Sequence, residues 1–149
     1  MKPSITWYAC SALRIDVAGI HIYVDPCSLP DAEPPADVLL VTHEHPHHLA
    51  LDDIARVRRS TTTMIASHAA GEQIPPPVRA LLPGEELTVG ALRIQAVPAY
   101  TTTKLTASGK PSHPRASQGL GFLLEAAERS FYIAERHRRD PRDGRDRAG

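Results

Sequence analysis

Short apolar segments separated by turn residues recur along most of the chain, and near the N-terminus their pattern predicts β-strands. Residues 5–10, 12–19 and 20–26 are rich in β-branched and aromatic side chains. The second and third of these segments are predicted to form a hairpin that turns at Ala18 and Gly19. Residues 37–43, DVLLVTH, form an apolar run between turn residues, which is typical of a strand buried on both faces.

Helical patterns alternate with strand patterns after residue 50. Residues 51–59 carry Asp52 and Asp53 near their start and three arginines toward their end, the charge order that a helix dipole favours. A shorter helix is predicted over residues 68–74 and must end at the prolines of residues 75–77, because proline cannot continue a helix. Further strands are predicted over residues 61–67, two or three within residues 80–100, and a hairpin over residues 120–134.

Three stretches have neither pattern. Residues 28–36 form a proline-rich loop, and residues 101–119 form a polar connection of a length that is uncommon unless the loop is functional or mobile. Residues 135–149 contain six arginines, three aspartates and no large apolar side chain, so we expect disorder there. We therefore expect one structured domain, residues 1–134, followed by a charged tail.

Composition narrows the function classes. The 17 basic residues balance the 17 acidic ones, so no net field favours nucleic acid or an anionic membrane. The tail arginines are a candidate nucleic-acid arm, but the interleaved aspartates argue against that partner. The N-terminus has no signal-peptide pattern, and no apolar run approaches the ~18 residues of a membrane span, so we expect a soluble cytoplasmic protein. Cys10 and Cys27 are too few for a disulfide scaffold.

Four histidines lie within six positions between the predicted buried strand and the predicted helix: His43, His45, His47 and His48. In an extended segment alternate side chains point the same way, so His43 and His45 can bind one ion together. Neutral imidazole is a common zinc ligand, and ligands bind in α/β folds where strands end at the sheet edge. A histidine tract that binds metal only adventitiously is the alternative interpretation. His21 and His68 are interpreted as structural.

The order of motifs resembles the metallo-β-lactamase fold, in particular the metal-dependent hydrolases similar to ascorbate-phosphate lactonase. The motifs are Asp25-Pro26, VTHEHPHHL at 41–49, VPAY at 97–100, His113-Pro114, GLGFLLE at 119–125 and FYIA at 131–134. The resemblance extends over residues 4–134. It implies an α/β (α+β) fold, the N-terminal half of an αββα sandwich, with mixed and antiparallel sheet and flanking helices.

The same resemblance implies a metal site. His43, His45 and His113 would be the imidazoles of a first zinc site, and His48 would belong to a second. Asp25 would be the carboxylate that orients ligating imidazoles. Water activated by the metal would attack an ester, lactone or phosphoester-type small molecule. His47 and His48 are the candidate catalytic residues.

Two departures from the family motif concern the second metal. The motif His-x-His-x-Asp-His has an aspartate where this chain has His47, and an imidazole is a poorer base with no negative charge. Family members follow YIA with a Gly-Asp-Thr segment whose aspartate bridges the two metals, whereas this chain has YIAERHRRD. Asp140 and Asp143 are poor substitutes because they lie in the predicted disordered tail. We therefore expect one zinc ion and an incomplete second site.

The resemblance also implies truncation after the N-terminal half of the fold, and a frameshift near Glu135 is one hypothesis for the abrupt change in composition. If each half contributes one sheet, this chain would expose an apolar sheet face, which monomers rarely tolerate. We therefore predict a homodimer. Two functions stay open: a zinc hydrolase whose activity is weakened or lost by truncation, and a non-catalytic, self-associating zinc-binding module.

Overall fold

The computed structural model describes residues 2–9, 11–45, 48–98 and 119–134. Both predicted helices are present in this part of the chain, and each ends two or three residues earlier than predicted. Within the same ranges, no helix is long and apolar enough to span a bilayer. The elements are β1 Ser4–Trp7, β2 Leu13–Val17, β3 Ile20–Val24, β4 Val38–Val41, α1 Leu51–Val57, β5 Thr63–Ala66, α2 His68–Gly71, β6 Arg79–Ala80, β7 Glu86–Val89, β8 Leu92–Pro98, β9 Leu120–Ala126 and β10 Arg129–Ile133.

The described strands form two sheets. The first has six strands in the order β1-β2-β3-β4-β5-β6, antiparallel from β1 to β3 and parallel from β3 to β6. The second has four antiparallel strands in the order β10-β9-β8-β7. One apolar core contains side chains from both sheets, so the sheets pack face to face. The mixed and antiparallel sheets and the flanking helices confirm the predicted fold class, but the expectation of a single sheet is wrong.

The alternation of side chains along β4 explains its continuous apolar sequence. Val38 and Leu40 belong to the core between the two sheets, whereas Leu39 and Val41 belong to a second core under the helices. All four side chains are fully buried, and β4 is paired on both sides. Helices α1 and α2 contribute buried side chains to the second core. The central strands of the six-stranded sheet are therefore covered on both faces, and the predicted open apolar face is not present on them, whereas Ile5 and Trp7 on the edge strand β1 are exposed.

Helix α1 holds the loop that follows β3. The Asp53 carboxylate accepts hydrogen bonds from the backbone N–H groups of Ser28 and Leu29, each at 3.0 Å. Arg56 donates to the Asp53 carboxylate and to the carbonyl oxygens of Leu29 and Pro30. Ser28 has a φ of 55°, a left-handed conformation that a non-glycine residue rarely adopts. We name these contacts the Asp53–Arg56 clamp, because they fix the strained loop against the helix.

A network of polar side chains ties β1, β2 and β3 together. Ser4, Asp16 and His21 lie directly opposite one another on the three strands. The Asp16 carboxylate accepts from Ser4 Oγ at 3.2 Å, from Arg14 Nε at 3.1 Å and from His21 Nδ1 at 2.6 Å. Partial burial raises the pKa of the Asp16 carboxyl, but the contacts with His21 and Arg14 outweigh it and leave this pKa below its ordinary value.

We predict that Asp16→Asn lowers the free energy of unfolding by about 1 kcal/mol at pH 7, because it weakens charge-assisted hydrogen bonds. The folded-state pKa of Asp16 lies below the unfolded value. Its stabilisation is therefore fully present above the unfolded pKa of about 3.9 and is lost as pH falls through the folded pKa. Urea unfolding at several pH values measures this, with Asp31→Asn as the exposed control. A stability difference between Asp16→Asn and the native protein that does not shrink in acid would contradict the prediction.

We predict that Asp53→Ala destabilises the protein by about 2 kcal/mol, because two backbone N–H groups lose their acceptor. Asp52→Ala is the matched control, since Asp52 is exposed in the same first turn of α1 and shares any interaction with the helix dipole. Urea unfolding at neutral pH gives both free energies. If both variants lose the same free energy of unfolding, the Asp53–Arg56 clamp contributes nothing beyond the interaction of a negative charge with the helix dipole.

Candidate metal centre

The predicted site residues meet where β3 and β4 end. These strands are adjacent and parallel, so Asp25 after β3 and Thr42 and His43 after β4 lie at the same sheet edge. The Asp25 N–H donates to the carbonyl oxygen of Leu40 at 2.8 Å. Leu120, the first residue of β9, donates its N–H to the carbonyl oxygen of Thr42 at 2.9 Å. The four-stranded sheet is thus joined to the six-stranded sheet at this site.

Asp25 is a buried carboxylate on which three donors converge. The residue is only 2% exposed. Its Oδ1 accepts from the Thr42 N–H, and its Oδ2 accepts from the Thr42 hydroxyl and from His48 Nδ1, each at 2.8 Å. Burial raises the pKa of the Asp25 carboxyl, and the hydrogen bonds from His48 and Thr42 oppose that rise. The Asp53–Arg56 clamp holds the loop that begins at Asp25, so α1 stabilises the backbone beside this carboxylate.

The Thr42 hydroxyl links a second imidazole to Asp25. The hydroxyl has one hydrogen, which it donates to the carboxylate. Its 2.9 Å contact with His43 Nδ1 therefore has the imidazole as donor. His48 Nδ1 also donates, because its partner is a carboxylate oxygen. When neutral, both imidazoles thus carry hydrogen on Nδ1 and a lone pair on Nε2, which is the form that binds a metal ion.

Three predicted ligand imidazoles lie close together. The ring centroids of His43 and His45 are 4.5 Å apart with nearly perpendicular planes, and those of His43 and His48 are 3.8 Å apart. The N–H groups of His48 and Leu49 both donate to the carbonyl oxygen of His45, and this turn returns His48 toward His43. The described part of the chain therefore brings these three imidazoles into ring contact at one sheet edge.

The described residues supply only part of the predicted site. The structure brings together Asp25, His43, His45 and His48, whereas His47 and His113 lie outside the described ranges. Within residues 2–9, 11–45, 48–98 and 119–134, no three His, Cys, Asp or Glu side chains are arranged to hold one metal ion. The donor set still fits a metal, because two of its imidazoles have Nδ1 hydrogen-bonded as metal-ligating histidines do. A complete site therefore requires a further ligand from outside these ranges.

The segment that contains His113 begins and ends at the site. Pro98, the last residue of β8, is the register partner of Leu120, the first residue of β9. Leu120 is in turn hydrogen-bonded to the backbone of Thr42. His113 precedes Leu120 by seven residues, and seven extended residues span at most about 25 Å. The covalent chain therefore permits His113 to reach the other imidazoles.

Sequence reasoning did not identify Thr42 or the role of Asp53. Thr42 stands between an apolar strand and the first histidine of the motif, and a hydroxyl at that point is the signal that could have drawn attention to it. Asp53 was interpreted only through the helix dipole, whereas it also accepts two hydrogen bonds from the loop after β3. Glu44 between the first two histidines also has a buried Oε2 without a hydrogen-bond partner among the described residues.

Comparison with known proteins agrees with this geometry. A profile of the beta-lactamase superfamily domain matches residues 4–133. A proposed metal-dependent hydrolase from Parabacteroides distasonis superposes with a TM-score of 0.77 at 30% identity, covering 89% of this chain and 60% of that one. Igni18, a metallo hydrolase from Ignicoccus hospitalis, superposes with a TM-score of 0.62 at 17% identity, with the same coverage of 89% and 60%. No curated protein matches the chain significantly.

A further solved structure shares the fold. CmlA, a diiron β-hydroxylase from Streptomyces venezuelae, has a TM-score of 0.62 at 17% identity, and the match covers 89% of this chain and 29% of that one. The chain spans about 60% of the length of the first two solved structures. Because the superfamily profile matches almost the whole described length, this chain belongs to the beta-lactamase superfamily and has the metallo-β-lactamase fold.

Proposed function

We propose that this chain is a zinc-dependent hydrolase that binds one ion through His43, His45 and His113. Its substrate would be a small molecule with an ester, lactone or phosphoester-type bond. A bound zinc ion would act as a Lewis acid and bring the pKa of a coordinated water to about 7. Three imidazoles leave a fourth position open, which is the arrangement of catalytic zinc sites.

The hydrogen-bond network around Asp25 is the observation that carries this proposal. Thr42 and Asp25 hold Nδ1 of His43 and Nδ1 of His48, so the basic nitrogen of each neutral ring is Nε2. A buried carboxylate that accepts from an imidazole raises the basicity of that ring and fixes its orientation. A purely structural histidine pair has no need of a buried carboxylate, whose desolvation is costly.

His47 and His48 would act beside the first ion. His48 is held by Asp25 through Nδ1, and its ring is next to that of His43. We propose that it orients the attacking water or the substrate. His47 occupies the position at which the family motif has an aspartate, so we propose that it offers a neutral acceptor rather than a charged one. A weak or absent second metal would follow from this replacement.

The second candidate function is a zinc-binding module without catalytic activity. The observation that favours it is the histidine at position 47, where the family motif has an aspartate. Both functions require the same three ligands, and they differ in whether the bound metal supports turnover.

Metal analysis combined with a turnover assay separates the two functions. Purified protein is loaded with zinc, passed through a desalting column and analysed for metal, then assayed on a p-nitrophenyl phosphodiester and on a simple lactone with and without a chelator. About one equivalent of zinc and chelator-sensitive turnover support the hydrolase. Bound zinc without such turnover supports the module, and protein that retains no metal contradicts both.

We predict that His43→Ala, His45→Ala and His113→Ala each lower the retained zinc from about one equivalent to below about one tenth, because two imidazoles bind far more weakly than three. His21→Ala is the control, since His21 contacts Asp16 and is not a ligand in our proposal. The His21→Ala protein should therefore retain about one equivalent of zinc. Elemental analysis gives the metal content. Full zinc content after loss of both His43 and His45 would show that the ligand assignment is wrong.

We also predict that Thr42→Val weakens zinc binding by about 10- to 100-fold, the range typical for loss of a group that orients a ligand. Valine has nearly the same shape but leaves His43 Nδ1 without its acceptor and Asp25 without one donor. Thr62→Val is the matched control, because Thr62 is also buried and donates to the carbonyl oxygen of Ala36 away from the site. Competition with a chromogenic chelator measures both affinities. If both variants bind zinc equally, Thr42 has no role at the metal.

A further inference from the structure

An apolar groove lies between the two sheets at their edge strands β1 and β10, each of which is paired on one side only within the described part of the chain. It has a volume of about 550 Å³ and runs between β1 and β10. Three large apolar residues that line it are exposed: Ile5 at 48%, Trp7 at 60% and Tyr132 at 66%. Exposed apolar side chains gathered at one place, unlike scattered ones, indicate an interaction surface. We name this surface the β1–β10 groove.

Among the described strands, β10 is paired on one side only, by β9. Strands β9 and β10 are joined by a two-residue turn, Ala127 and Glu128, whose φ values are 49° and 60°. Ala126 and Arg129, on either side of this turn, form the first pair of the β9–β10 ladder. In such a hairpin the closing pair is hydrogen-bonded, and pairs then alternate along the strands. Arg129, Phe131 and Ile133 therefore bond to β9. The N–H and C=O groups of Ser130 and Tyr132 point away from β9, toward the open edge.

The other sheet edges carry features that discourage pairing, and β10 carries such a feature only at its first residue, Arg129. β6 has only two residues and follows the prolines of residues 75–77. β1 is preceded by Lys2 and Pro3. β7 carries an exposed Glu86 that pairs with Arg93. Short length, proline and charge are the usual means by which proteins protect an edge. After Arg129, β10 has neither proline nor a charged residue between Ser130 and Ile133, so this part of its edge lacks such protection.

We propose that a second copy of this chain adds its β10 to this edge and covers the β1–β10 groove. A two-fold axis at Phe131 would place Ser130 of each copy opposite Tyr132 of the other. The outward-pointing groups of each such pair would exchange both hydrogen bonds. The same axis sets Arg129 opposite Ile133, so no like charges meet. The formal net charge of zero means that two copies do not repel at long range.

The apolar surface needed to fill the groove is present on the chain itself. Phe131 packs against the core between the sheets, and the axis would bring the two Phe131 side chains together. Trp7 lies on the facing edge of the same groove. The groove wall also includes Asp25, Thr42 and His48, so a second copy would exclude water from that side of the hydrogen-bond network. Hydrogen bonds strengthen where water is excluded.

Sedimentation velocity on the full chain between 1 and 100 µM, without metal, tests this dimer independently of the proposed hydrolase. The unmodified protein is expected to sediment as twice 16.2 kDa. Ser130→Pro removes an N–H that β9 does not use, and proline is tolerated on an edge strand. We expect it to raise the dimer dissociation constant at least about 10-fold with unchanged circular dichroism.

Thr88→Pro on β7 is the matched control. Val89 and Leu92 close the β7–β8 turn, so the N–H of exposed Thr88 also points away from its neighbour, but at the opposite edge of the same sheet. This variant should remain dimeric. If Ser130→Pro does not fold, Trp7→Lys, at an exposed position across the groove, should weaken the dimer in its place. An unmodified chain that is monomeric at 100 µM, or groove variants that dimerise as tightly as Thr88→Pro, would overturn the proposal.

Discussion

The Asp25 carboxylate is the group on which the arrangement of this site depends. A carboxylate so deeply buried is costly to desolvate unless donors surround it. Here the backbone and hydroxyl of Thr42 and the ring of His48 supply them. Because these bonds also fix the hydrogen positions on His43 and His48, the interactions that compensate the buried charge are the same ones that prepare the imidazoles. Folding stability and the metal binding that we propose would therefore be coupled at one residue.

The topology explains how residues far apart in sequence reach this carboxylate. Parallel pairing of β3 and β4 places Asp25 and Thr42 at one sheet edge, although 17 positions separate them. The hydrogen bond from Leu120 to Thr42 brings the start of β9 to the same edge. Helix α1 then returns along the sheet, and its clamp holds the loop that begins at Asp25. Each of these contacts involves residues at or near the end of a strand or helix. There the backbone N–H and C=O groups are not all used in hydrogen bonds of that strand or helix.

Much of the fold could be predicted from local patterns. The apolar run of residues 37–43 predicted a strand buried on both faces, and β4 has two buried faces because helices cover one and the second sheet covers the other. Ala18 and Gly19 both have positive φ, as the predicted hairpin turn requires. The pairing of β7 to β10 into a second sheet was missed, because strand partners depend on tertiary packing rather than on the sequence of one strand.

The candidate site was predictable to a similar degree. A dense histidine tract after a buried strand is a local signal, and the structure brings three of its imidazoles and Asp25 together. The bridging hydroxyl of Thr42 could not be inferred, since threonine is common at strand ends and its partner lies on another strand. The same holds for Asp53, whose backbone partners are 24 and 25 residues away.

The charges near the histidines agree with our proposal of one bound cation rather than two. Two divalent ions about 4 Å apart repel by about 16 kcal/mol at an effective dielectric constant of about 20, four times the value for unit charges. Enzymes with paired metals offset this with anionic ligands between the ions. Position 47 holds an imidazole where the family motif has a carboxylate, and Asp25 is already shared between Thr42 and His48. The single zinc ion that we propose would need only imidazole ligands and one nearby buried carboxylate, and the described residues His43, His45, His48 and Asp25 are groups of these kinds.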